Sequence, residues 1–272
     1  APPVAIGDVM RSLCSGEVVA SCNPDYSVGE YVTGWFGWQD YAAVGADRIV
    51  QRTSPAEAKM TLGILGLNGM TALLALTTIG EPKPGQTVVV STAAGAVGSA
   101  VGQIARIHGC RTVGIAGGGA KVRDCTELFG YDAAIDYQSE DVGARVAALC
   151  PEGIDIYFDN TAGAISDAVL PHLAQKARVV ICGTASYDRW DPWPEGPRVE
   201  RHLLVKRARM EGFVLFDHMD RLDETVATLR GWIADGRLTF QEDILHGIEA
   251  CPDALAGLYR GENRGKRLIK LV

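Results

Sequence analysis

The chain has 272 residues, 47% of them hydrophobic, with 26 Lys and Arg against 33 Asp and Glu for a net charge of −7. That composition excludes intrinsic disorder, and an acidic balance without a long basic stripe argues against nucleic-acid binding driven by counterion release. No apolar run reaches a membrane span and the start APPVAIGDVM lacks a basic n-region and an apolar h-region, so a cytoplasmic protein without membrane attachment is expected.

Through about Pro55 the sequence is rich in Gly and aromatic residues, with short alternating runs at Gly16–Ala20 and Tyr31–Val44, a strand-and-turn texture. Ser54-Pro55-Ala56-Glu57 then reads as a helix start. Ser54 suits the N-cap, Pro55 the first helical position, and Glu57 completes a capping box. The helix is expected to continue toward Thr71–Thr78, where Pro82, Pro84 and Gly85 end it. Thr87–Ser91 (TVVVS) reads as a fully buried strand, followed by a Gly-rich turn, a helix over Val97–His108 and a second strand at Thr112–Ala116. The alternation continues with helix Ala120–Phe129, strand Ala133–Asp136, helix Asp141–Leu149, strand Ile154–Phe158, helix Ile165–Leu173 and strand Arg178–Cys182. Near-continuous apolar strands separated by amphipathic helices mean a parallel sheet covered on both faces. The expected fold is therefore doubly wound α/β, a Rossmann-type domain over 65–238. The loop Ser186–Pro197 (SYDRWDPWPEGP) carries three prolines and cannot be a regular element. The basic stretch Arg198–Arg209 reads as a solvated helix face. From Leu238 the tail returns to short strands, ending in Lys266–Leu271, and head (1–64) and tail (239–272) are expected to form one lobe.

The seven cysteines, at 14, 22, 110, 125, 150, 182 and 251, contain no CxxC pair, and the five histidines form no HExxH or HxxxH pair. No metal site is expected, and reduced thiols suit the odd count. No G-x-S-x-G occurs, which disfavours an esterase.

Directly after TVVVS stands Thr92-Ala93-Ala94-Gly95-Ala96-Val97-Gly98, with Gly102 one helical turn on. This is a G-x-G-x-x-G pattern whose first position is Ala93. A strand before it and a helix after it are the context that makes such a triplet a dinucleotide-binding signal. Gly95 lets backbone approach a pyrophosphate, Gly98 allows close helix–strand contact, and the helix start favours phosphate charge. An NAD site needs a carboxylate about twenty residues further on. Here the second strand ends Ala116-Gly117-Gly118-Gly119-Ala120-Lys121, with no acid. A carboxylate about 4 Å from a 2′-phosphate costs roughly 4 kcal/mol per charge pair at an effective dielectric near 20. Its absence, with Lys121 and Arg123 following, favours NADP.

The runs Gly66–Ala72 (GLNGMTA), Ala93–Ser99, Gly102–Arg106 (GQIAR), Ile154–Asn160 (IDIYFDN), Val179–Gly183 (VVICG), Arg209–Asp217 (RMEGFVLFD) and Gly261–Lys270 (GENRGKRLIK) together resemble the zinc-independent medium-chain dehydrogenase/reductases. Within them the chain is similar to the NADPH-dependent 2-alkenal/enone reductase branch, which includes prostaglandin and curcumin reductases. The resemblance implies reduction of the C=C bond of a small apolar enal or enone by hydride transfer from NADPH to the β-carbon. It implies a GroES-like catalytic lobe around the cofactor domain, partial in this chain because family members begin upstream of the counterpart of Ala1, and a homodimer. Residue by residue it assigns Gly95, Ala96, Val97 and Gly98 to the pyrophosphate, Lys121 to the 2′-phosphate, and Tyr137 to the adenosine ribose-phosphate. Asn160 becomes a cofactor contact and Cys182 a neighbour of the nicotinamide. Phe213, Val214 and Leu215 supply backbone to the carboxamide, and Asn263 a second nicotinamide contact. Tyr187 is the catalytic candidate, a donor to the substrate oxygen, although it follows Cys182 by five residues where the family tyrosine follows by six. Gly37–Tyr41 resembles a strand lining the family's cleft, and barrel core is the alternative for Trp35, Phe36, Trp38 and Tyr41. Quinone reduction, and NADPH binding without turnover in a sensor or crystallin-like protein, remain the alternative functions.

Overall fold

The computed structural model describes residues 3–187 and 189–271, and its contacts divide the chain into two units. One takes residues up to Asn68 together with those from Glu242 onward; the other is Gly69–Gln241. In the first, Cys14–Glu17 (β1), Tyr31–Gly34 (β2) and Ile49–Thr53 (β3) form an antiparallel sheet in that order. The strands are shorter than the alternating runs expected at Gly16–Ala20 and Tyr31–Val44. A register shift at Thr33/Gly34 interrupts the ladder to β3 and ends β2 early. The helix expected from Ser54 to Thr78 is also broken. Ser54 Oγ does accept the Glu57 amide at 3.3 Å, so the cap forms. Beyond it Met60–Leu62 make one tight turn and Gly63 leaves helical space at φ −135°, ψ −103°. Regular helix starts at Leu67 (α1, Leu67–Ala75).

In the second unit six strands run parallel: Thr87–Ser91 (β4), Arg111–Ala116 (β5), Ala133–Asp136 (β6), Ile154–Asp159 (β7), Leu173–Ile181 (β8) and Arg209–Gly212 (β9). Their order is β6-β5-β4-β7-β8-β9, so the chain winds outward from β4 in one direction and then from β7 in the other. This is the doubly wound order, with its switch point between β4 and β7. The reason lies in the strands' composition. Val88, Val89, Val90, Val113, Ile115, Ile156, Tyr157 and Val179 are all fully buried, and strands with both faces apolar need helices on both sides. Those helices are Gly98–Ile107 (α2), Gly119–Arg123 (α3), Val142–Leu149 (α4), Gly163–Val169 (α5), Glu200–Lys206 (α6) and Leu222–Ala234 (α7). Asp141 caps α4 by accepting the Ala144 amide at 2.9 Å. The helix expected over Ala120–Phe129 keeps α geometry only to Arg123. Wider turns follow, in which the Phe129 amide reaches back to the Asp124 carbonyl. The basic segment forms α6 with no buried residue, a solvated helix face as expected, but Arg209 already belongs to the edge strand β9.

In the tail, Glu242–His246 (β10) pairs with Lys266–Lys270 (β11) in parallel, and Cys251–Tyr259 (α8) lies between them in sequence. The expectation of strands alone was incomplete. A parallel pair cannot be closed by a tight turn and needs a crossover, here a helix with Pro252 in its first turn.

Candidate active site

In the Gly69–Gln241 unit, the sequence-predicted residues gather at the carboxyl ends of the parallel strands, where doubly wound sheets receive ligands. β4 ends at Ser91, and the chain turns through Thr92–Val97 into α2. The turn is closed by the Gly95 amide on the Thr92 carbonyl at 2.9 Å, and the Ser99 amide then bonds Gly95 at 2.9 Å. A Cβ on Gly98 would lie 2.2 Å from the Thr92 carbonyl oxygen and one on Gly95 2.8 Å from Thr92 Cγ2. Only glycine lets α2 start this close to β4, which brings its amide end and positive dipole to the sheet's carboxyl edge.

The next two strand ends form one surface. A Cβ on Gly117, after β5, would meet the Tyr137 ring at 2.8 Å, so the half-exposed Tyr137 ring lies directly on this glycine. Asp136, the last residue of β6, accepts the Gly118 amide at 2.8 Å and the Gln138 amide at 3.0 Å. The Gly118 bond is the main cause that holds its carboxyl below the usual range. α3 then presents Lys121 one turn later, its amide bonded to the Gly118 carbonyl. β5 itself ends in Ile115-Ala116 without an acid, and the carboxylate at this edge is that of Asp136 on β6, turned onto the Gly118 amide.

At the ends of β7 and β8 stand Asn160 and Cys182. Asn160 donates its side-chain amide to the Ser91 carbonyl at 2.7 Å, which ties it across the switch point to β4. The amides of Cys182 and Gly183 both reach the Asp159 carbonyl, at 2.8 and 3.1 Å. Burial, with the Asp159 charge second, pushes the Cys182 thiol up to about 12. Phe213, Val214 and Leu215 follow β9 at the sheet's edge. The Phe213 amide bonds Ile181 of β8 at 3.0 Å and its ring stacks on His218 at 5.0 Å. Val214 is exposed between its two buried neighbours, and its carbonyl accepts the Asp217 amide.

Tyr187 lies on the Pro-rich loop leaving β8. Its ring meets Trp190 edge-on at 5.3 Å, and Trp190 meets Trp193 at 5.0 Å, an aromatic row whose two tryptophans are largely exposed. Asn263 belongs to the other unit, where its side-chain amide donates to the Gly265 carbonyl at 2.8 Å. Sequence reasoning passed over Ser91, Thr161, Ser166 and the acids Asp136 and Asp159. An acid ending an apolar strand at a sheet's carboxyl edge was the available signal.

A dinucleotide fits these residues: the glycine turn is a cradle that any Cβ would fill, at the N-terminus of a ten-residue helix. Among the described residues no three His, Cys, Asp or Glu side chains converge as ligands. Nor, among them, is any helix long and apolar enough to cross a membrane.

Comparison with known proteins matches residues 96–231 to the family model described as zinc-binding dehydrogenase, and residues 1–51 to one described as the N-terminal domain of oxidoreductase. The NADPH-dependent curcumin reductase of Escherichia coli is 40% identical over 277 aligned positions, which cover 100% of this chain and 80% of that protein. The NADP(+)-dependent 2-alkenal reductase of Nicotiana tabacum is 37% identical, over 93% of this chain and 74% of its own. Among solved structures, CurA from Vibrio vulnificus in complex with NADPH superposes with a TM-score of 0.91 at 39% identity, covering 100% of this chain and 82% of that one.

Proposed function

The chain belongs to the medium-chain dehydrogenase/reductase family, among the NADPH-dependent curcumin and 2-alkenal reductases, and on that premise we propose that it reduces the C=C bond of small apolar α,β-unsaturated aldehydes and ketones. Its cofactor is NADPH. When bound, this cofactor supplies the hydride that the β-carbon receives. In the proposed arrangement Gly95, Ala96, Val97 and Gly98 hold the pyrophosphate, Lys121 the 2′-phosphate and Tyr137 the adenosine ribose. Asn160, Cys182 and the Phe213–Leu215 backbone bound the nicotinamide half.

No protein nucleophile is needed. As the β-carbon gains hydride, negative charge develops on the substrate's carbonyl oxygen, a donor aimed at it lowers the barrier, and a proton taken up at the α-carbon completes the saturated product. The Tyr187 hydroxyl is that donor. The aromatic row Tyr187–Trp190–Trp193 excludes water and grips the apolar tail. Cys182, kept neutral by burial, packs and does not attack.

The observation that supports this reading most is the similarity, over 93% and 100% of this chain, to a 2-alkenal reductase and a curcumin reductase, both named for NADP(H). The test is turnover of a trans-2-alkenal with NADPH, with the product identified by mass spectrometry. The saturated aldehyde is expected. Quinone turnover without alkenal turnover would overturn it in favour of a quinone reductase, and NADPH binding without turnover of either in favour of a sensor.

A further inference from the structure

The backbone ladder between the two central strands stops before the strands do. β4 pairs with β7 from Val88–Ile156 to Val90–Phe158, yet Ser91 and Asp159 beyond it remain 0% and 1% exposed. Side chains take over at that point. Ser91 Oγ donates to Asp159 Oδ1 at 3.2 Å and accepts the Asn160 amide at 2.8 Å, while Asn160 Nδ2 donates to the Ser91 carbonyl. The same Asp159 oxygen accepts the Thr161 and Ala162 amides, each at 2.9 Å, and the Thr161 hydroxyl at 3.2 Å. Asp159 Oδ2 accepts the Ser166 hydroxyl, whose oxygen lies 3.1 Å from the buried Tyr157 hydroxyl. Every donor in this set is neutral.

The set has a consequence for the backbone. Ala162 stands at φ +57°, ψ −160°, a region that residues with a Cβ hold only when their surroundings impose it. Here Asp159 imposes it through the Ala162 amide. On the opposite side Ser91 is the residue immediately before the Thr92–Val97 turn. The clamp therefore joins the two segments that bound the crevice where strand order reverses.

We propose that Asp159 is a positioning residue: through Ser91 on one side and the Thr161–Ala162 turn on the other, it sets the crevice that receives NADPH. The ligand's identity rests on the proposed function; the clamp itself is protein touching protein. Its work is done by hydrogen-bond geometry, so a neutral acceptor of the same shape can replace the carboxylate.

Three variants test this by fluorescence titration with NADPH and by thermal melting. Ser91→Ala removes the hydroxyl that links the strands, and Asp159→Ala removes the shared acceptor. Each should raise the NADPH Kd about tenfold or more, the scale on which misplaced supporting contacts act. Asp159→Asn keeps an Oδ1 acceptor for both amides and can turn its NH₂ to the Ser166 hydroxyl, so its Kd should stay within about threefold of wild type. A Ser91→Ala protein that melts earlier but binds NADPH as tightly as wild type overturns the inference alone, since the network then only holds the fold. Should Asp159→Ala fail to fold, Ser91→Ala and Asp159→Asn decide. A wild-type chain that binds no NADPH overturns the proposed function, and the inference with it.

Discussion

Lys121 and Cys182 show how far single side chains carry the chemistry. A lysine in α3 and a β5 that itself ends without an acid suit a 2′-phosphate, the neighbouring Asp136 carboxylate being engaged by the Gly118 and Gln138 amides. Lys121→Ala is therefore expected to raise the KM for NADPH about tenfold, roughly 1.4 kcal/mol of lost binding, with little change for NADH. Steady-state kinetics with both cofactors check it, and equal effects would reduce Lys121 to a surface cation. The thiols give a pH dependence. Burial comes first among the causes that push Cys125 and Cys182 up to about 12, from an ordinary value of 9.0. Between those values the folded state keeps protons that the unfolded chain has released, so stability must fall as pH rises through that window. Urea denaturation should show a loss above about pH 9 that Cys125→Ala makes shallower, each raised thiol contributing a slope of up to about 1.4 kcal/mol per pH unit. Near neutral pH both thiols are protonated, and alkylating reagents should leave activity intact.

At the scale of elements, the glycine turn and the aromatic loop make opposite demands. The first tolerates no extra atom. Gly98→Ala places a Cβ 2.2 Å from the Thr92 carbonyl oxygen and 2.9 Å from Ala93 Cα, backbone on both counts, so α2 must move off β4. A loss of about 1–3 kcal/mol is expected on thermal melting, with weaker NADPH binding alongside it. The aromatic loop is held by ring edges, and Tyr187→Phe keeps the contact to Trp190 while deleting the hydroxyl. If that hydroxyl serves the substrate oxygen, kcat and kcat/KM fall together by about a hundredfold, about 3 kcal/mol, with NADPH affinity unchanged. A change within about threefold would remove Tyr187 from the mechanism. Much of the parallel sheet could be read from the sequence because strands apolar on both faces leave few alternatives: Thr87–Ser91 and Ala133–Asp136 have the limits expected of them. Elements with weaker local signals were missed. The capping box at Ser54 forms its bond, yet Gly63 stops the helix it should open. α8 was hidden because Pro252 reads as a breaker unless it is placed in a first turn. The Ser91–Asp159 clamp could not be read at all: its partners are 68 residues apart, and only strand order brings them together.

For the whole molecule, ligand binding and folding are linked, so the cofactor proposal can be weighed without any turnover. A ligand that binds only the folded chain at about a hundred times its Kd adds about 2.7 kcal/mol of stability. For a chain of this size each kcal/mol shifts the midpoint by roughly 2–4 °C, so saturating NADPH should raise the melting temperature by about 5–10 °C. NADH at the same concentration should raise it less, because only NADPH carries the 2′-phosphate that Lys121 is proposed to hold. Lys121→Ala should shrink the NADPH shift toward the NADH value while leaving the NADH shift in place. Since no three ligand-type side chains converge among the described residues, adding a chelator should change neither shift. Equal shifts from the two cofactors in the wild-type protein would mean that the 2′-phosphate finds no partner here. The cofactor preference would then have to be sought outside the Gly117–Lys121 turn.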